Sequence, residues 1–178
     1  MPTPNSRRPT AGAQWPLQRD CDAFYGDPDP EGSGRASKLW EQTHLVKVEV
    51  PWRMVLSWDT RARVGAITFH ERAAPALRRV LEAIWAACGM SQARIEANHL
   101  HLFGGSYNFR LMRGSNQLSM HSWGCALDLD PEGNPFGRNR AKCRMPTPVV
   151  EAFQAEGFEW GGRWRRPDAM HFQAARTR

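Results

Sequence analysis

The sequence predicts an α+β fold, a small antiparallel sheet flanked by helices. Three observations lead there. Val46, Val48 and Val50 alternate with Lys47 and Glu49, the two-residue period of a strand with one buried face. From about Ala73 to Cys88, residues Leu77, Val80, Leu81, Ile84, Trp85 and Cys88 repeat with the period of an amphipathic helix. Strand-like and helix-like segments then follow one another irregularly, without the regular alternation that builds a parallel sheet.

Taken in order, residues 1–14 are rich in Pro, Ser, Thr and Arg and are expected to form a flexible tail, leaving 15–178 as a single domain. Trp15 to Tyr25 is expected to be a short helix anchored by Trp15, Phe24 and Tyr25. Gly26 to Ser37, which contains Asp-Pro-Asp-Pro-Glu-Gly-Ser-Gly, is a turn-rich loop. The valine strand is expected to end at Pro51, with a second short strand over Met54–Trp58. Gly89 stops the long helix, whose apolar stripe is core. Tyr107, Phe109 and Leu111 alternate with Asn108 and Arg110, which predicts a strand presenting Arg110 on its polar face. Leu127 and Leu129 alternate with Asp128 and Asp130, a strand with leucines inward and Asp128 on the opposite face. A last helix is expected to start with Thr147 as cap and Pro148 in the first turn, and to end at Gly157.

Composition narrows the function classes. Hydrophobic residues at 41% and charged residues at 24% are ordinary for a soluble globular chain of 178 residues. The net charge of +6 is either a solvated basic surface or an attraction to a polyanion, and nucleic acid, an anionic cell envelope and an acidic peptide all satisfy it. Because the arginines are scattered and no nucleic-acid motif occurs, a nucleic-acid partner is not expected. No apolar run approaches the roughly 18 residues needed to cross a bilayer. The N-terminus has two arginines but no apolar stretch after them, so synthesis in the cytoplasm without a cleavable signal is expected. Cys21, Cys88, Cys125 and Cys143 lack C-x-x-C spacing and are expected to be reduced thiols, mostly packed.

Chemistry concentrates in two segments, Ser119-Met-His-Ser-Trp-Gly-Cys-Ala-Leu-Asp128 and Trp160-Gly-Gly-Arg-Trp-Arg-Arg-Pro-Asp-Ala-Met-His-Phe172. Two imidazoles and a carboxylate, His121, Asp128 and His171, form a ligand set typical of catalytic zinc, which keeps a fourth position for water. With Leu127 and Leu129 buried on one side and Met170 and Phe172 on another, Asp128 and His171 are both aimed away from the core. Asp168 lies only three residues before His171, so ligation by both is awkward and a general-base role suits Asp168. His44, His70, His99 and His101 are expected to be surface or hydrogen-bonded histidines, and Asp130 a polar turn or a support for the ligands.

At these residues the chain resembles the VanY/endolysin-type D-alanyl-D-alanine carboxypeptidase and L-alanyl-D-glutamate endopeptidase family, part of a wider group with hedgehog-like folds. The pattern S-x-H-x-x-G-x-A-x-D is matched by Ser119, His121, Gly124, Ala126 and Asp128. The later D-x-x-H-F is matched by Asp168, His171 and Phe172. The resemblance implies a hedgehog/DD-peptidase-like fold with Zn2+ in a cleft on the sheet. In that reading His121, Asp128 and His171 are the ligands, Asp168 the base and peptidoglycan stem peptides the substrate. An aspartate at the base position points to an endopeptidase of endolysin type. A carboxypeptidase trimming D-alanine, or a silent zinc protein that binds cell wall, are the alternatives. Relatives carry a substrate-orienting arginine upstream, for which Arg110 and Arg113 are the candidates. Ser119 is the candidate polar contact beside them. A monomer is expected, acting on the cell wall or periplasm if it is a lysin of phage type and otherwise in cytoplasmic muropeptide recycling.

Overall fold

The computed structural model describes residues 15–177, so the expected tail over 1–14 lies outside the described residues. A six-stranded sheet organises the chain. Its strands are β1 (Leu45–Leu56), β2 (Asp59–His70), β3 (Leu102–Gly105), β4 (Ala126–Leu129), β5 (Glu159–Trp160) and β6 (His171–Gln173), ordered β2-β1-β3-β4-β6-β5. The sheet is antiparallel, as expected, with one parallel pairing, β1–β3. The reason is the crossover: α3 (Ala74–Ala87) and α4 (Gln92–Ala97) carry the chain from the end of β2 back across β1, so β3 enters in the direction of β1.

The long hairpin β1–β2 was only half legible. Its first strand does not stop at Pro51, because the register shifts between Glu49 and Met54 and the proline sits in that irregularity, where no ladder donor is required. The two short strands expected there are one. Helix α3 forms as its period dictates, burying Leu77, Val80, Leu81 and Ile84 against β1 and α5 (Thr147–Ala155). Each such side chain contributes about 1.5–3 kcal/mol. Thr147 is the first residue of α5 rather than its cap; Pro146 precedes it and Pro148 still occupies the first turn. The remaining helices, α1 (Cys21–Tyr25) and α2 (Lys38–His44), brace the sheet through Tyr25 and Trp40, both buried.

The segment Tyr107–Leu111 is not a strand. Arg110 donates its backbone N–H to Ser122 Oγ at 3.0 Å, and its carbonyl accepts from Ser122 Oγ at 2.9 Å and from the Ser119 amide at 2.9 Å. The backbone is therefore satisfied by the 3-10 turn Met120–Trp123 and needs no ladder. The alternation read as a strand arises in an extended loop.

Two buried polar groups fix the frame. Asp130 stands at φ +47°, is buried, and grips Arg144 bidentately at 2.7 and 2.8 Å while accepting from Asn134 at 3.0 Å. That clamp ties loop 131–145 to the end of β4. His70 is wholly buried, bonds the Tyr25 carbonyl through Nε2 at 2.9 Å and accepts the Arg72 amide at Nδ1. Burial pulls its imidazole down to about 4. The unfolded chain therefore binds more protons between about 4 and 6.5, so stability is complete above that window and is lost as pH falls through it. Denaturant titration of the metal-free protein is expected to lose on the order of 2–3 kcal/mol from this group between pH 7 and pH 4.5. His70→Gln is expected to flatten the slope, and equal slopes in the two proteins would contradict the assignment.

Candidate metal centre

Strand β4 delivers Asp128 as the alternation predicts: Leu127 and Leu129 are fully buried and Asp128 faces the other side. Its partner across the ladder is His171 on β6, with Asp128 and His171 in register. His121 arrives from the 3-10 turn, which closes at Gly124 with φ +63°, a left-handed conformation that disfavours any residue with a Cβ. The three side chains converge. Asp128 Oδ1 is 2.9 Å from His171 Nδ1, Asp128 Oδ2 is 3.2 Å from His121 Nε2, and one donor atom from each residue lies within 4.8 Å of the others.

Each imidazole is oriented by its other nitrogen. His121 Nδ1–H donates to the Ser106 carbonyl at 2.5 Å, which leaves the Nε2 lone pair facing Asp128. His171 is set by Gln173. The Gln173 amide donates Nε2–H to the Ala175 carbonyl at 3.1 Å, so its Oε1 accepts from His171 Nε2–H at 3.1 Å and the Nδ1 lone pair turns to the centre. Neither Ser106 nor Gln173 was identified from sequence. A backbone carbonyl has no side-chain signature, and a glutamine beside a motif looks like any other polar residue.

Electrostatics fit a cation. Burial pushes the Asp128 carboxyl up, but the His121 and His171 imidazoles outweigh it and hold the group well below the usual carboxylate range. For His171, burial works downward and Asp128 overcomes it, so its pKa is raised. Asp168 behaves differently: burial raises its pKa, only partly offset by His171. Its Oδ1 is buried without a hydrogen-bond partner among the described residues. An orphaned carboxylate oxygen beside two imidazoles and an ionised aspartate, without a sulfur donor, suits a divalent zinc and its water. Gly161 makes room for it: the Asp168 amide donates to the Gly161 carbonyl at 2.9 Å, and a Cβ on Gly161 would stand 2.6 Å from the Asp168 carbonyl oxygen. Trp164 flanks His171 with ring centroids 5.4 Å apart.

A cleft of about 480 Å³ opens on this side of the sheet, lined by His121, Asp128 and Arg110 among others. Arg110 also acts electrostatically on Asp168. Arg113 lies on an exposed turn outside that lining, and Ser119 is buried, its backbone holding Arg110 rather than facing the cleft. His44 bonds Glu71 at 3.0 Å and stacks on His70, away from the centre.

Residues 113–174, about a third of the chain, match the family model described as D-alanyl-D-alanine carboxypeptidase. Over this segment the chain is similar to that family. The match supports a zinc-dependent, peptidoglycan-acting metallopeptidase in general. No curated protein and no solved structure matches it significantly. The matched stretch begins at Arg113 and holds every residue of the converging group, whereas Ser106 and Arg110 precede it. No helix among the described residues is long and apolar enough to cross a membrane.

Proposed function

We propose that this peptidase hydrolyses an amide bond within peptidoglycan stem peptides, in the manner of an L-alanyl-D-glutamate endopeptidase. The observation that carries the reading is the buried Asp168 Oδ1, without a hydrogen-bond partner among the described residues, beside the His121–Asp128–His171 group. A merely structural metal site has no use for an unligated base. In this scheme His121 Nε2, Asp128 and His171 Nδ1 hold zinc. Bound there, zinc supplies Lewis acidity, polarising the scissile carbonyl and acidifying water.

The chain's own residues do the rest. Asp168 takes the proton of the attacking water and hands it to the leaving amine; its raised pKa suits both acceptance and return. Arg110, on the cleft wall, holds a substrate carboxylate and offsets charge developing on the scissile carbonyl oxygen. Ser106 and Gln173 keep the two imidazoles in the tautomers that present lone pairs to the cation. The +6 net charge favours residence by an anionic wall.

Aspartate at the base position supports the endopeptidase reading, since it is the endolysin-like choice. A second reading, a carboxypeptidase that trims terminal D-alanine, has the matched family's description in its favour. Digestion of purified muropeptides, with mass spectrometry of the products, separates them. The expected result is a shortened stem peptide with a new D-glutamyl N-terminus and no free D-alanine. Free D-alanine as the sole product would make it the trimming enzyme, and no product from any muropeptide would overturn both.

A further inference from the structure

We propose that the tip of the β1–β2 hairpin is a second substrate-binding wall, on which Arg63 takes a carboxylate of an acidic peptide and Trp58 covers the adjoining apolar part of the chain. This deepens the reading of the centre as a stem-peptide hydrolase and rests on it.

Two independent features point to the hairpin. Trp58 is 67% exposed, on the two-residue turn between β1 and β2. Isolated exposed hydrophobes are commonplace and carry no meaning alone. Leu39, Met90, Leu111 and Phe136 are also exposed, yet among these only Trp58 lines the cleft that contains His121 and Asp128. A large rigid ring there supplies contact area at little entropic cost.

The second feature is an arginine without a counter-ion. Arg53 pairs with Glu96 at 2.6 Å, Arg61 with Asp59 at 3.3 Å, and Arg144 with Asp130 at 2.7 Å. Arg63 and Arg110, the two arginines of the cleft, have no carboxylate within 4.0 Å among the described residues. The acidic residue lining the cleft is Asp128, whose charge is already engaged by two imidazoles. Such a lining favours an anion, and a guanidinium edge favours a carboxylate in bidentate grip. Two such edges suit a peptide carrying two carboxylates.

The hairpin is fixed relative to the centre, as a binding wall must be. Val55 donates to the His101 carbonyl at 2.8 Å and Ser57 to the Phe103 carbonyl at 2.9 Å, so the tip is tied to β3. The chain leaving β3 runs through Gly105 into Ser106, whose carbonyl orients His121. The tip and the first imidazole thus share one support.

The test is steady-state hydrolysis of a purified muropeptide and of the same peptide with its glutamyl carboxylate amidated, using wild type, Arg63→Ala, Arg63→Lys and Trp58→Ala. Arg63→Ala and Trp58→Ala are each expected to raise KM about tenfold with kcat within about twofold, and Arg63→Lys to recover part of the loss. Amidation is expected to raise KM of the wild type by a similar factor and that of Arg63→Ala no further. Wild-type hydrolysis with unchanged KM in Arg63→Ala and Trp58→Ala overturns this inference alone. Failure of the wild type to cleave any muropeptide overturns the stem-peptide reading, and this inference falls with it.

Discussion

Replacing Asp128 with alanine is expected to abolish zinc binding and hydrolysis together while the chain stays folded. The carboxylate lies between two imidazoles, 2.9 Å from His171 and 3.2 Å from His121, and carries the centre's negative charge. Without it, two neutral nitrogens remain, and a divalent ion loses both a ligand and its charge compensation. Losing a mere supporting partner costs about 10–100-fold in metal affinity, so losing a ligand is expected to cost more. Elemental analysis after dialysis reads the result as zinc per chain, about one for wild type and close to none for Asp128→Ala. Circular dichroism checks the fold, which Leu127 and Leu129 anchor without help from Asp128. Full zinc occupancy in the variant would remove Asp128 from the ligand set.

Asp168→Asn is expected to keep its zinc and lose activity by roughly 10²–10⁴-fold, the range that a positioned proton acceptor supplies. The change is nearly isosteric, and the backbone bonds that place the residue, from the Asp168 amide to Gly161 and from the His171 amide to the Asp168 carbonyl, are untouched. What disappears is a carboxylate oxygen that no group among the described residues satisfies. Zinc content and kcat measured on one preparation separate the two effects. A variant with wild-type kcat would show that proton transfer runs through another group, and one that lost zinc would make Asp168 a ligand.

The site was more legible in the sequence than the fold around it. Leu127 and Leu129 gave away which way Asp128 points, because strand parity is absolute once one face is buried. The helix over Ala74–Ala87 declared itself through Leu77, Val80, Leu81 and Ile84, one buried stripe with polar residues opposite. Strand β2 did not, because its Arg61, Arg63 and Gly65 are exposed and part of it lines an open cleft, so no clean alternation survives. Tyr107–Leu111 misled in the opposite sense: alternation was present, but its hydrogen-bond partners were serines of the ligand loop. Pro51 looked like a terminus because sequence cannot display a register shift between paired strands. The bonds that matter most to the imidazoles come from a carbonyl fifteen residues before His121 and from a glutamine two residues after His171, and neither residue type announces such a role.

Gln173 has one more neighbour, Gln18, whose side chain reaches its oxygen at 3.3 Å, and the Gln18 amide is held by the carbonyl of Arg176 at 2.9 Å. Arg176 in turn donates to the carbonyls of Pro16 and Trp15. The opening turn of the described chain is thereby a buttress beneath one of the imidazoles, although more than 150 positions separate them along the backbone. A fragment trimmed to residues 113–174, or even to the start of the hairpin, would lose that buttress.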